Sequence, residues 1–306
     1  MSDPALLALA ANTLLNLKVT EPAPPTSAGS SWNVNFSSEA RPALPSNVSP
    51  DRPIVTEFAQ PSVQVASVPQ SGGQLYRQRL EALRVGKIYT RLPAHSFSQT
   101  WKNLQGKPTY QQWRQLLALE ARAVARGQGN QQLAVMVGDS LSLWYPSDRL
   151  PPGTLWLNQA ISGETTREIL RRLGDFDQVR PQVIYVMAGV NDLKQGASDN
   201  DILWNLRRIV WRLQQRHPQS QIIVQSILPT RSPQISSERI WRLNRQLAAI
   251  AREDGAEFLD LYSYLADAAG SLRPDLTTDG IHLNRNGYAA WQEVLTQTSV
   301  TLARSS

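Results

Sequence analysis

Between residues 133 and 261 five short apolar runs alternate with stretches of helical spacing, and this alternation constrains the fold more than any other feature of the chain. The runs cover residues 133–137, 155–159, 183–187, 221–227 and 257–261. Residues 183–187 (Val-Ile-Tyr-Val-Met) are continuously apolar, as a strand covered on both faces should be. The intervening stretches predict helices over 165–173, 199–216 and 236–253, with a last one from Asn286 or Gly287 to about residue 300. Thr165-x-x-Glu168 reads as a capping box at the start of the first of these, and Asp199 as the cap of the second. Parallel neighbours need crossover connections, so strands separated by helices imply a mostly parallel sheet with helices on both faces. Five strands in about 170 residues suit a flavodoxin-like strand order, and ligands of such sheets bind beyond the strand carboxyl ends.

The chain before this region divides three ways. Residues 1–17 read as a short amphipathic helix, with Ser2 or Asp3 as cap and Pro4 at its first position. Leu6, Leu7, Ala10, Ala11, Leu14 and Leu15 share one side, and the polar side holds Asn12 and Asn16 but no Lys or Arg. That pattern favours docking on a protein partner or on the chain's own catalytic domain over a membrane surface. Residues 18–74 read as a disordered linker, holding nine of the 20 prolines and no sustained apolar period. Residues 75–130 read as a mainly helical lead-in, with one helix over 75–85 and a stronger one opened by Pro108-Thr109 that places Trp113, Leu116, Leu117 and Val124 on one face. Residues 131–302 remain for a catalytic domain.

Composition removes several classes. With no cysteine, disulfide scaffolds, thiolate metal sites and thiol nucleophiles are excluded. The net charge of +6 is concentrated in residues 76–130, where ten Lys and Arg face two Glu. A solvated basic face is the plain reading, an acidic partner or anionic membrane surface the alternative, and no nucleic-acid partner is expected. No apolar run approaches the ~20 residues of a membrane span. The start lacks a positive region and a small-residue cleavage site, so neither a transmembrane segment nor a signal peptide is expected, and the expected location is cytoplasmic.

The first run continues into Gly138-Asp139-Ser140, which delivers Ser140 at a strand end as a candidate nucleophile. Of the three histidines, His95 lies in the unpatterned lead-in, and His217 closes a helix before Pro218, where a cation is ordinary. His282 follows Asp279 by three residues across Gly280, close enough for a tight turn to set the carboxylate on Nδ1 and leave Nε2 facing the serine. Capping of the turn by the pair is the plainer alternative. Asn191, after the run 183–187, and Gly163, after 155–159, stand at two further strand ends. With the Ser140 backbone N–H they can supply donors to an oxyanion.

Gly-Asp-Ser-Leu with Ser140, the loop with Gly163, Gly-x-Asn-Asp with Asn191 and Asp-x-x-His with Asp279 and His282 occur in that order. Together they resemble the SGNH, or GDSL, hydrolase superfamily, from about residue 131 to the C-terminus. The resemblance implies a three-layer α/β/α sandwich and a serine esterase with no metal or organic cofactor. It implies Ser140 as nucleophile, His282 as base, Asp279 as its orienting group, and Ser140 N–H, Gly163 N–H and the Asn191 side chain as the oxyanion hole. The Gly-x-Ser-x-Gly elbow of α/β-hydrolases is missing. Asp139 then has no catalytic duty and reads as shaping the turn.

The expected substrate is a small carboxylic ester, a lipid acyl ester or an O-acetylated carbohydrate, hydrolysed through an acyl-enzyme with loss of rate as His282 protonates at acid pH. Trp144 and Tyr145 are candidates to stack on a sugar or line an acyl slot, packing against the domain being the alternative, and Arg231 is a candidate for an anionic group. An O-acyltransferase with a sugar hydroxyl as acceptor would use the same residues. Two further functions fit the residue types: a non-catalytic binding module on the same fold, and a metal-dependent phosphoesterase built on Asp139, Asn191, Asp279 and His282.

Overall fold

Strands β1 (Leu133–Gly138), β2 (Leu155–Asn158), β3 (Val183–Met187), β4 (Gln221–Gln225) and β5 (Glu257–Leu259) pair into one all-parallel sheet in the order β2-β1-β3-β4-β5. The computed structural model describes residues 68–305; the expected helix at 1–17 and the linker up to residue 67 lie outside the described residues. In β1 every position is buried, and Ala134 stands opposite Val183 while Gly138 stands opposite Met187. The strand order reverses between β1 and β3, which puts the switch point beside Ser140. Three strands are shorter than their runs, β2 by one residue and β4 and β5 by two. After Gln225, Asn244 takes both backbone groups of Ile227, its Oδ1 accepting the N–H at 2.8 Å and its Nδ2 donating to the carbonyl at 2.8 Å. After Leu259 the chain turns, the Leu261 N–H returning to the Leu259 carbonyl at 3.1 Å.

The helices in chain order are α1 (Gly72–Arg84), α2 (Ser98–Trp101), α3 (Tyr110–Gly127), α4 (Ser140–Leu143), α5 (Thr166–Arg172), α6 (Val190–Lys194), α7 (Asp199–Arg216), α8 (Ser237–Glu253), α9 (Tyr262–Leu265) and α10 (Arg285–Ser305). Capping boxes start α3 (Thr109 with Gln112) and α5 (Thr165 with Glu168). The cap of α7 is Ser198 rather than Asp199, because the Ser198 hydroxyl accepts the Asp201 N–H at 3.1 Å. Asp199 binds Arg239 of α8 instead, at 2.7 Å. Helix α10 starts a residue early, at Arg285, since the Asn284 side chain takes the N–H groups of Asn286 and Gly287 at 2.9 and 3.1 Å. His217, expected as a cation at the end of α7, is buried and stacked on Phe176, and burial pushes its pKa down toward the neutral form. Among the described residues no helix is long and apolar enough to cross a membrane.

Crossover handedness sorts the layers. The connections β2 to β3, β3 to β4 and β4 to β5 all step in one direction, so right-handed crossovers place α5, α7 and α8 on one face. The step from β1 to β2 runs the other way. Its connection shares the opposite face with α10, where Tyr145 meets Tyr288 and Trp291 edge to face.

The lead-in is built onto this frame. Leu75, Leu80 and Leu83 of α1 and Trp113, Leu116 and Leu117 of α3 form one buried cluster with Leu143, Ala160 and Ile161. Arg79, fully buried, donates Nε to Glu120 at 2.9 Å and Nη2 to the Asn158 carbonyl at 2.7 Å, where β2 ends. Between α1 and α3 the aperiodic stretch folds into short turns held by scattered side-chain bonds. The Trp101 indole donates to the Ser96 carbonyl at 2.8 Å, and the Thr90 hydroxyl to the Trp156 carbonyl at 2.7 Å.

Candidate active site

The turn that carries Ser140 is fixed by the two residues before it. A Cβ on Gly138 would stand 2.4 Å from the Met187 carbonyl and 2.6 Å from the Ser142 hydroxyl, so only glycine lets β1 close against β3 here. Asp139, fully buried, caps α4 by accepting the Leu141 N–H at 3.0 Å. Among the described residues its other oxygen has no hydrogen-bond partner. Burial pushes this carboxyl up to about 7, against the pull of the Leu141 N–H and the His282 ring. Ser140 follows at the first position of α4, 8% exposed.

His282 arrives from the far end of the chain. Its Nε2 lies 3.0 Å from Ser140 Oγ, and its Nδ1 lies 2.7 Å from Asp279 Oδ2. The other Asp279 oxygen accepts the N–H groups of Ile281 and His282 at 3.0 and 2.8 Å. Burial raises the Asp279 pKa, but the His282 ring and these two N–H groups outweigh it and hold the carboxyl below its ordinary range. An ionised Asp279 keeps a proton on Nδ1 and leaves Nε2 free to accept the serine proton. The loop itself is closed by an antiparallel bridge of Thr277 with Leu283, with the Thr277 hydroxyl donating to the His282 carbonyl at 2.7 Å.

Gly163 and Asn191 sit on the neighbouring loops. The Ile161 N–H donates to the Gly138 carbonyl at 3.1 Å, which seats the Gly163 loop against the turn that carries Ser140. Gly163 has a φ of 85°, a left-handed conformation that a side chain would strain. Asn191 Nδ2 donates one hydrogen to the Glu164 carbonyl at 3.0 Å, joining the two loops.

Behind them lies a layer with no local sequence signal. Glu164 is buried against Arg172, its Oε1 taking the Arg172 Nε at 2.6 Å and the Tyr110 hydroxyl of α3 at 3.0 Å. Asp192 is buried and accepts the Thr166 N–H at 2.8 Å and the Thr166 hydroxyl at 2.6 Å. Burial raises the pKa of both carboxyls, against their hydrogen-bond partners. Among the described residues no three His, Asp or Glu side chains converge as metal ligands.

A groove of about 670 Å³ opens beside His282. Its lining includes Trp144, Tyr145 and Tyr288 together with Leu75, Tyr89 and Ala94 of the lead-in. Arg231 is not among its lining residues. Its guanidinium binds Asp267 at 3.0 Å and the Leu272 carbonyl at 2.9 Å, and its backbone N–H donates to the Gly280 carbonyl at 2.7 Å. The guanidinium thus engages Asp267 and Leu272, while the Arg231 backbone holds the turn at Gly280.

A doubly wound parallel sheet with a serine, an imidazole and a carboxylate in hydrogen-bond sequence at its carboxyl edge has the layout of an ester hydrolase. The family model of the GDSL-like Lipase/Acylhydrolase family matches residues 127–290, and the chain belongs to that family of ester-bond hydrolases. Over 187 residues it is 29% identical to the platelet-activating factor acetylhydrolase IB subunit alpha1 of Pongo abelii, covering 56% of this chain and 78% of that one. Among solved structures, a putative platelet activating factor from Streptococcus pneumonia superposes with a TM-score of 0.55 at 24% identity, over 61% of this chain and 93% of that one. A GDSL-like lipase from Bacteroides thetaiotaomicron superposes with a TM-score of 0.53 at 19% identity, over 60% and 96%. Both show the shared three-layer fold.

Proposed function

We propose that the protein is a serine esterase that hydrolyses a carboxylic ester through an acyl-enzyme on Ser140. The observation that carries this reading is the unbroken relay from Ser140 Oγ through both ring nitrogens of His282 to Asp279, at 3.0 and 2.7 Å. His282 Nε2 takes the Ser140 proton as Oγ attacks the ester carbon. The carbonyl oxygen becomes an oxyanion that receives hydrogen bonds from the Ser140 and Gly163 N–H groups and from the second amide hydrogen of Asn191. The carbon–oxygen bond to the alcohol breaks, and His282 returns the proton to the departing oxygen. Water, deprotonated by the same nitrogen, then attacks the acyl carbon and releases the acid, and Ser140 regains its proton.

The name acetylhydrolase of the relative from Pongo abelii supports a short acyl group on this chain's substrate. Replacement of Ser140 by Ala is the test, with turnover of a short p-nitrophenyl ester and labelling by a fluorophosphonate as the readouts. Loss of the nucleophile in a comparable serine enzyme costs about 10⁶-fold. Retention of more than a few per cent of turnover, or a label on any residue other than Ser140, would refute the assignment.

A further inference from the structure

The groove beside His282 has lining from two sources. His282, Trp144, Tyr145 and Tyr288 come from the region that matches the family. Gln70, Leu75, Tyr89 and Ala94 precede residue 127, where that match begins. The lead-in therefore supplies a wall that the matched region does not contain. The wall is also firmly seated. The Gln78 side chain donates to the carbonyls of Ala94 and Ser96 at 2.7 and 3.2 Å, and the buried Arg79–Glu120 pair fixes α1 against α3 and β2.

The position of the groove relative to the relay decides which half of an ester it can hold. It is lined by His282 and by none of Ser140, Gly163 and Asn191. The departing oxygen must come within about 2.6–3.2 Å of His282 Nε2 to receive its proton. The carbonyl oxygen must instead face Gly163 and Asn191. A group bonded to the departing oxygen has a path past the imidazole into the groove. Its exposed lining is more apolar than polar, with Leu75, Tyr89, Leu143, Trp144, Tyr145 and Tyr288 beside the charged Asp148, Arg149 and Arg285, and its volume lies within the range of small-molecule sites.

We propose that this groove is the alcohol subsite, and that the lead-in makes the protein selective for esters of bulky, mainly apolar alcohols. The proposal rests on the esterase reading given above. Two ester pairs test it on the full chain. In one the acyl group is acetyl and the alcohol is ethanol or 2-naphthylmethanol. In the other the alcohol is ethanol and the acid is acetic or 2-naphthylacetic acid. The variants are Ala94→Trp, which fills the groove from the lead-in side, and Gln70→Trp at its exposed rim, where a larger side chain has room without disturbing the core.

The wild type is expected to prefer 2-naphthylmethyl acetate to ethyl acetate in kcat/KM. Each variant should lower that ratio at least tenfold while the ratio within the acid pair stays within twofold. An unchanged alcohol ratio in both variants overturns the proposal. So does a fall confined to the acid pair, which would make the groove the acyl side. If the wild type cleaves none of these esters and takes no fluorophosphonate label, the esterase reading itself fails, a result distinct from either of the others.

Discussion

The Tyr110 hydroxyl donates to Glu164 Oε1 at 3.0 Å, so a helix that precedes the matched domain holds the loop that carries Gly163. The Glu164 carbonyl in turn accepts from Asn191. One side chain of α3 therefore bears on both loops of the proposed oxyanion hole. Burial, and then the neighbouring Glu164, push the Tyr110 pKa up to about 12, so the hydroxyl remains a donor throughout the working pH range.

Tyr110→Phe should cost about 1 kcal/mol of stability, the scale of one hydrogen bond, read as a lower urea midpoint with an unchanged slope. If the bond positions the loop, kcat should fall several-fold with KM little changed. A loss of stability with unaltered kcat would show that the contact serves only the fold.

Asn191→Ala removes one proposed oxyanion donor. Turnover of a short p-nitrophenyl ester should drop about 10²–10³-fold in kcat, with a small change in KM. A loss below threefold would move the donor role elsewhere, because a group that stabilises the transition state cannot be dispensed with so cheaply.

Asp139 sets a pH dependence whose sign can be worked out. Its folded pKa is raised from 3.8 to about 7, so between those values the folded state binds more protons than the unfolded one. Stability therefore falls as pH rises through this window, and the burden is complete above pH 7. Asp139→Asn lacks the charge at every pH. The substitution should be more favourable at pH 8 than at pH 5, by on the order of a few kcal/mol. Equal effects at the two pH values in denaturant unfolding would show that the carboxyl does not titrate there.

Arg79→Met leaves Glu120 as a buried charge without its partner. Removing one member of such a pair costs about 3–5 kcal/mol, whereas replacing both by apolar residues is often close to neutral. Urea unfolding should therefore show the single variant strongly destabilised, and Arg79→Met with Glu120→Leu recovering most of the loss. Equal destabilisation by the single and double variants would show that packing, not charge, dominates at this site.

The sheet was legible because burial on both faces leaves continuous apolar runs, and their alternation with helical spacing admits few topologies. The pair Asp279 and His282 was legible for a local reason, three residues across a glycine, and Ser140 because it breaks a run at a strand end. The supporting layer was not. Glu164 finds Arg172 eight residues away and Tyr110 54 residues away, separations that belong to no helical or strand period. Glu120 lies on the face of α3 that also buries Leu116, Leu117 and Val124, and only Arg79, 41 residues earlier, makes that burial tolerable. The partner of Arg231 was not legible either, because Asp267 lies 36 residues away and leaves no local mark in the sequence. The lead-in turns over 87–107 were unreadable because scattered side-chain bonds and the burial of Tyr89 and Trp101, not periodic packing, hold them.

The relay joins positions 142 residues apart, one just after the first strand and the other after the last. A long separation of this kind is costly to close early in folding and is met only when the intervening strands have docked. A growing chain that has emerged through β4 already carries the proposed nucleophile but lacks His282, the proposed base. Ester cleavage thus reports a finished fold in a way that helix content does not, and the protein stays chemically silent for as long as it is incomplete.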